Sequence, residues 1–204
     1  MANQKYVDTD HLLVPGRGTV LFAEPGQAMF KLEGFDKAKP DSFASWNLLG
    51  GTSKENMPAF DKDGGDATQL GIWEEDAVYT TYEATSMSVT LNAVRIDKET
   101  FELAFPGGVW DETTGSYKIN GIGSVEKALA IVMFDGQKCA AFYMPRVSLS
   151  VGDMPELDNE NFLEAQISGQ ILTDQTQNLR LQVFRPRPLT AAAPAPASST
   201  AGSH

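Results

Sequence analysis

Residues 127–147 read KALAIVMFDGQKCAAFYMPRV. Two apolar runs flank Asp135-Gly136, and an Asp-Gly pair between such runs is the strongest short-range hairpin signal a sequence carries. This stretch sets the expectation of an antiparallel β protein, and the flanking sequence agrees. TVLFAE (19–24) and QAMFKLEG (27–34) surround Pro25-Gly26 and predict a second hairpin. AVYTTYE (77–83) and TSMSVTLNAV (85–94) alternate: Met87, Val89, Leu91 and Ala93 fall on one face, Ser86, Ser88, Thr90 and Asn92 on the other. NFLEAQISGQIL (161–172) repeats the pattern, with Leu163, Ala165, Ile167 and Ile171 opposite Glu164, Gln166, Ser168 and Gln170. LRLQVF (179–184) closes the set. One helix is expected in DKETFELAFPGG (97–108), where Asp97 can cap its start and Pro106-Gly107-Gly108 stops it. Phe101, Ala104 and Phe105 then face the core. Strands with one apolar and one polar face suit a sheet resting one side on a core. The polar side can be an ordinary outer surface or the lining of a water-filled bore; the pattern is the same for both.

Bulk properties bound the function. A chain of 204 residues is long enough for one domain with a sizeable core. No apolar run approaches the roughly 20 residues a spanning helix needs. The first residues lack the basic flank and apolar stretch of a secretion signal, so synthesis in a cytoplasm is expected. The single cysteine, Cys139, excludes an internal disulfide framework and thiolate zinc, and its apolar neighbours suit a buried thiol. His11 and His204 are the only histidines, which leaves little for Ser-His or Cys-His catalysis. A net charge of −11 is the wrong sign for gripping phosphates, and the basic residues of RLQVFRPRP (180–188) are sparse. PLTAAAPAPASSTAGSH (188–204) is poor in large apolar side chains and reads as a flexible or extended tail.

The acidic run PAFDKDGGDATQLGIWEED (58–76) poses the main chemical question. In calcium-loop register Asp61 and Asp63 fit, but Gly65 stands fifth, Asp66 sixth and Ile72 twelfth. The bidentate ligand is missing and the turn residue misplaced, so no metal is expected. Paired-carboxylate hydrolysis has no distinguishing signal among 27 acidic residues. GGTSK (50–54) has Walker letters in the wrong order, and GIGSVEK (121–127) carries Glu126 where a third glycine belongs. No catalytic constellation and no cofactor site emerges.

Residues 46–73 resemble one family closely: the major tail proteins, or tail tube proteins, of long-tailed bacteriophages, notably those infecting actinobacteria. The resemblance rests on Trp46, Leu49-Gly50, Thr52-Ser53, Pro58-x-Phe60, Gly64-Gly65-Asp66 and Trp73, then DKETFELAF, then the late segment 140–172 in which Pro145-Arg146 ends a strand. It covers most of residues 18–185 and implies an N-terminal arm (1–17), a tail tube domain (18–186) and a C-terminal arm (187–204). The implied fold is mainly β, an antiparallel β-sandwich or half-barrel of the tail-tube type with one short flanking helix and a long inter-ring loop at about residues 35–70. The implied function is structural: hexameric rings stack into a tube that conducts DNA without binding it specifically. Other copies, tape measure, tail terminator and baseplate proteins would be the partners, with no membrane involved. In that frame Trp46, Leu48, Gly50, Thr52, Ser53, Pro58, Phe60, Gly64, Gly65, Asp66 and Trp73 form the ring-stacking candidates. Trp46, Leu48, Phe60 and Trp73 would be the apolar anchors. Ser86, Ser88, Thr90, Asn92, Glu164, Gln166, Ser168 and Gln170 would face the lumen. The competing expectation is an acidic β-sandwich that binds carbohydrate or decorates a capsid or tail surface, using Trp46, Trp73 and Trp110.

Overall fold

The structure is a computed structural model in which residues 9–157 and 159–189 are described; most of the C-terminal arm and the first eight residues lie outside them. In chain order the strands are β1 (Arg17–Ala23), β2 (Asn47–Leu48), β3 (Ala59–Asp63), β4 (Ala67–Ile72), β5 (Glu75–Tyr82) and β6 (Ser86–Ala93). Helix α1 (Lys98–Ala104) follows, then β7 (Val109–Asp111), β8 (Ser116–Lys118), β9 (Val125–Asp135), β10 (Lys138–Val151), β11 (Ala165–Ile171) and β12 (Gln182–Pro188). Eight of them form one antiparallel sheet in the order β2-β1-β9-β10-β11-β6-β3, with β12 alongside β10. The fold is mainly β with one helix, as expected, and does not close into a barrel.

The hairpin β9–β10 is the centre. Asp135 pairs with Lys138, leaving Gly136 and Gln137 as the turn, and Gly136 has φ 59, which a two-residue hairpin loop with glycine first requires. From Ala128 to Phe134 and from Cys139 to Met144 these strands are apolar, because one face of this part of the sheet belongs to the main core and the other to the second core. On one face Leu129, Ile131 and Met144 join Val20, Phe22, Val89, Leu91, Val147, Leu149 and Ile167 in the main core, over which α1 lays Leu103, Ala104 and Phe105. On the other, Ala128, Ala130, Val132, Ala141 and Tyr143 meet an aromatic layer of Phe35, Phe43 and Trp46. The α1 start is as read from the sequence: the Asp97 side chain accepts a hydrogen bond from Thr100 N at 3.0 Å.

Five local expectations need correction. Pro25-Gly26 does turn, with Gln27 N donating to Glu24 O, but residues 27–34 form no return strand. Their Met29, Phe30 and Leu32 pack onto the second core, and a strand could not deliver all of them to one surface. Residues 35–70 are not one loop; they contain β2, β3 and most of β4. Pro145 and Arg146 do not end a strand. Met144 pairs with Leu129 and Val147 with Lys127, so β10 has three steps where β9 has two, and the strand continues through a bulge. A bulge is where a proline, lacking an N–H, fits inside a sheet. Leu163 and Glu164 precede β11, and Leu163 is exposed instead of facing the core. The last strand begins at Gln182 and takes in Arg187 and Pro188.

Leu91 is central to the main core at 1% exposure. Leu91→Ala is expected to lower unfolding free energy by about 2–5 kcal/mol, read from denaturant unfolding followed by circular dichroism.

Candidate assembly surfaces

The polar residues of β6 and β11 meet on one face. Asn92 pairs with Gln166, Thr90 with Ser168 and Ser88 with Gln170, and opposed residues of an antiparallel ladder point to the same side. Strand β10 adds Ser150 opposite Ser168 and Ser148 opposite Gln170. Strand β3 adds Asp61 opposite Ser88 and Asp63 opposite Ser86. The result is a polar stripe four strands wide, backed by the main core. Asp61, Asp63, Ser148 and Ser150 are not among the lumen-facing candidates read from the sequence, although the alternation of VSLSV (147–151) and FDKD (60–63) carries the signal.

The stripe is not uniformly open. Asn92 is buried, and its Nδ2 donates to Asn56 O at 3.3 Å. The same Asn56 donates through its own Nδ2 to Glu164 Oε2 at 2.9 Å, which holds Glu164 beside the stripe. Gln166 is half-buried and its Oε1 accepts from Asp153 N at 2.7 Å. At the β9 end Arg146 grips Glu126 with two hydrogen bonds, Nε to Oε2 at 2.8 Å and Nη2 to Oε1 at 2.9 Å. The Arg146 side-chain hydrogen bonds, then its charge, hold the Glu126 carboxyl below its ordinary range.

The second surface is a protruding ribbon. Strands β4 and β5 pair only with each other, and both are exposed along their length. They prolong β3 and β6 beyond a bend at Gly64 and Gly65, whose φ values of 74 and 85 favour glycine. A Cβ on Gly64 would lie 2.4 Å from Ala84 O, so the two limbs approach backbone to backbone. Across the bend Glu83 N donates to Asp66 O at 3.1 Å. The ribbon exposes Leu70, Ile72, Val78, Tyr79 and Tyr82, and Trp73 stands at its tip with its whole surface in solvent. Glu74, Glu75 and Asp76 follow at once. A cluster of exposed apolar side chains this large marks a contact surface.

The remaining stacking candidates lie elsewhere. Trp46 is 4% exposed, seated against Phe30 and Tyr143, with Nε1 donating to Ala28 O at 3.1 Å. It anchors its own subunit's second core, so it is not available as an anchor for a neighbour. Leu48 is half-buried opposite Leu21, and Phe60 lies against Phe142 at 4.8 Å between ring centres. Gly50 turns at φ 67 beside Arg95, Thr52 bridges to Ala93, Ser53 is buried with Oγ accepting from Asn56 N, and Pro58 leads into β3.

Compared with protein families, residues 6–197 match the family described as phage tail tube protein. The chain belongs to that family. No curated protein matches it. Membership makes the tail tube protein a structural component of the virion tail, assembling with itself into a tube and with other tail components. The family is not generally enzymatic.

Gly64→Ala is expected to lower the melting temperature, since the left-handed backbone costs an alanine roughly 1–2 kcal/mol before the Ala84 clash. Amide exchange should quicken first in β4 and β5. For Glu126, a carboxyl with a lowered folded-state value contributes stability above the ordinary carboxylate range and loses it as pH falls through that lowered value. Arg146→Met should return Glu126 to the ordinary range in a carbon-detected NMR titration and remove this contribution to acid sensitivity.

Proposed function

We propose that six copies close into a ring, that rings stack into the tail tube, and that the polar stripe of β3, β6, β11 and β10 lines the bore through which DNA leaves the capsid. The observation that carries this reading is the register: polar residues from four neighbouring strands form one continuous surface, while the opposite face is the main core. The stripe ends on two margins with unpaired backbone groups. One is β3, the last strand of the sheet. The other is the start of β9, which pairs with β1 only from Ala128 onward. Such margins are templates for pairing with another chain, and joining them around a ring removes them.

The lining chemistry suits passage. Ser86, Ser88, Thr90, Ser168 and Gln170 are neutral, and Asp61, Asp63 and Glu164 are acidic. The one stripe cation described here, Arg146, is held by Glu126. Phosphates are repelled over roughly 8–10 Å at physiological salt, which keeps DNA from adhering. Ring closure is a rotation within one plane, whereas stacking stays open and yields a filament. Tape measure protein would occupy the bore before ejection, with terminator and baseplate proteins at the two ends.

Electron microscopy of the purified protein should show rings or tubes; a small monodisperse particle would instead favour a decoration or carbohydrate-binding module. In phage carrying Glu164→Lys and Gln170→Lys, twelve new cations per six-copy ring face the bore. Tails should assemble, ejection should slow, and added salt should restore part of the rate. Unchanged ejection kinetics at low salt would remove these residues from the lumen.

A further inference from the structure

The main core is covered unevenly. Helix α1 packs on β10 and β11, and the region it leaves open is a cleft of about 390 Å³ between β1 and segment 52–60. The cleft floor is apolar, formed by Val20, Ile131, Met133 and Phe142, with Phe60 and Met57 on one wall. Three cations, Arg17, Lys37 and Lys54, stand at its rim and are exposed. Arg17 and Lys54 form no ion pair among the described residues. The volume falls within the roughly 300–1,000 Å³ of pockets that enclose a small ligand, enough for one indole.

The same chain carries a complementary shape. Trp73 is fully exposed at the end of a two-stranded ribbon and is followed by Glu74, Glu75 and Asp76. An isolated tryptophan in water is a poor resting state for so large an apolar side chain, and tryptophan is prominent among residues that dominate interfaces. The tip cannot fill its own chain's cleft. A rise of ~3.3 Å per residue sets Trp73 roughly 25 Å beyond the Gly64-Gly65 bend, and no ribbon residue lines the cleft.

The geometry points to a socket contact between copies, in which Trp73 of one copy enters the cleft between β1 and segment 52–60 of another while Glu74, Glu75 and Asp76 meet Arg17, Lys37 and Lys54. The occupant is a second copy because the charges match on two surfaces of one chain. Both are also out of each other's reach within that chain. The cations on the rim explain why a chain of net charge −11 associates with itself: its acidic tip meets one of its few basic patches. Segment 52–60 thus contributes to stacking as the receiving wall, and the ribbon as the inserted element. The inference rests on the tube assembly proposed above, for which it names a contact.

The test uses the full-length protein, with assembly followed by sedimentation and electron microscopy. Trp73→Ala should raise the concentration needed for assembly by roughly 30-fold or more, as for a hot-spot residue, with an unchanged circular dichroism spectrum. Glu74→Lys with Glu75→Lys should also weaken assembly, and Arg17→Glu with Lys54→Glu should do the same. Combining all four reversals in one chain should restore it in large part. Tubes that form at wild-type concentrations in Trp73→Ala and in both double reversals would overturn the socket while leaving the tube itself standing. Weakening without restoration in the four-fold variant would also overturn it. A wild-type protein that never forms rings or tubes would defeat the assembly reading, and the socket with it.

Discussion

A single extra residue in β10 governs how this sheet divides its two sides. Before Pro145 the odd-numbered side chains, Cys139, Ala141 and Tyr143, belong to the aromatic second core, and Met144 belongs to the main core. After Arg146 the odd-numbered Val147 and Leu149 are in the main core, while Ser148 and Ser150 turn to the polar stripe. Strand side chains alternate with a period of two, so a one-residue shift exchanges every side. Without the bulge, Val147 and Leu149 would point into the stripe and two serines into the core. The bulge is held on both flanks: Gly26 N donates to Pro145 O at 2.8 Å and Leu172 N to Arg146 O at 2.9 Å. The Arg146 guanidinium is then clamped by Glu126 on the polar side.

From that exchange follows the division of labour along the sheet. Upstream of the bulge one face lies under residues 27–46, and the other belongs to the main core, part of which opens into the cleft beside β1. Downstream one face is dry and the other wet, which a single-layer wall between core and water requires. Tyr143 marks the border. It is buried, its hydroxyl donates to Gln27 O at 2.8 Å and contacts Gln177 Oε1 at 3.2 Å, and burial raises its ionisation point. A phenol so satisfied keeps the aromatic layer in place without an unpaired polar atom.

The ribbon shows a second use of strand geometry. Strands β3 to β6 form one long hairpin folded at Gly64 and Gly65, so that its base belongs to the sheet and its far half stands out as an exposed ribbon. Asp61 and Asp63 on the base face the stripe, and Glu74, Glu75 and Asp76 sit at the tip. These acidic residues of 58–76 thus fall in two separate places on the hairpin.

The fold class, the central hairpin, the helix with its Asp97 cap and the polar faces of β6 and β11 were legible from residues 86–172, because period, turn and cap chemistry act within a few neighbours. Register was not legible. Nothing in TSMSVTLNAV or EAQISGQIL says that Thr90 lies opposite Ser168, and that pairing turns two polar faces into one surface. The fate of Trp46 and Trp73 was likewise hidden: both look like anchors in one dimension, yet one is sealed against Tyr143 and the other stands in water. Pro145-Arg146 resembled a strand end, since a missing N–H looks the same at a terminus and at a bulge. Local chemistry determined which segments became strands and which faces were wet; only long-range pairing decided which wet faces were joined, because register and burial depend on residues far apart in the chain.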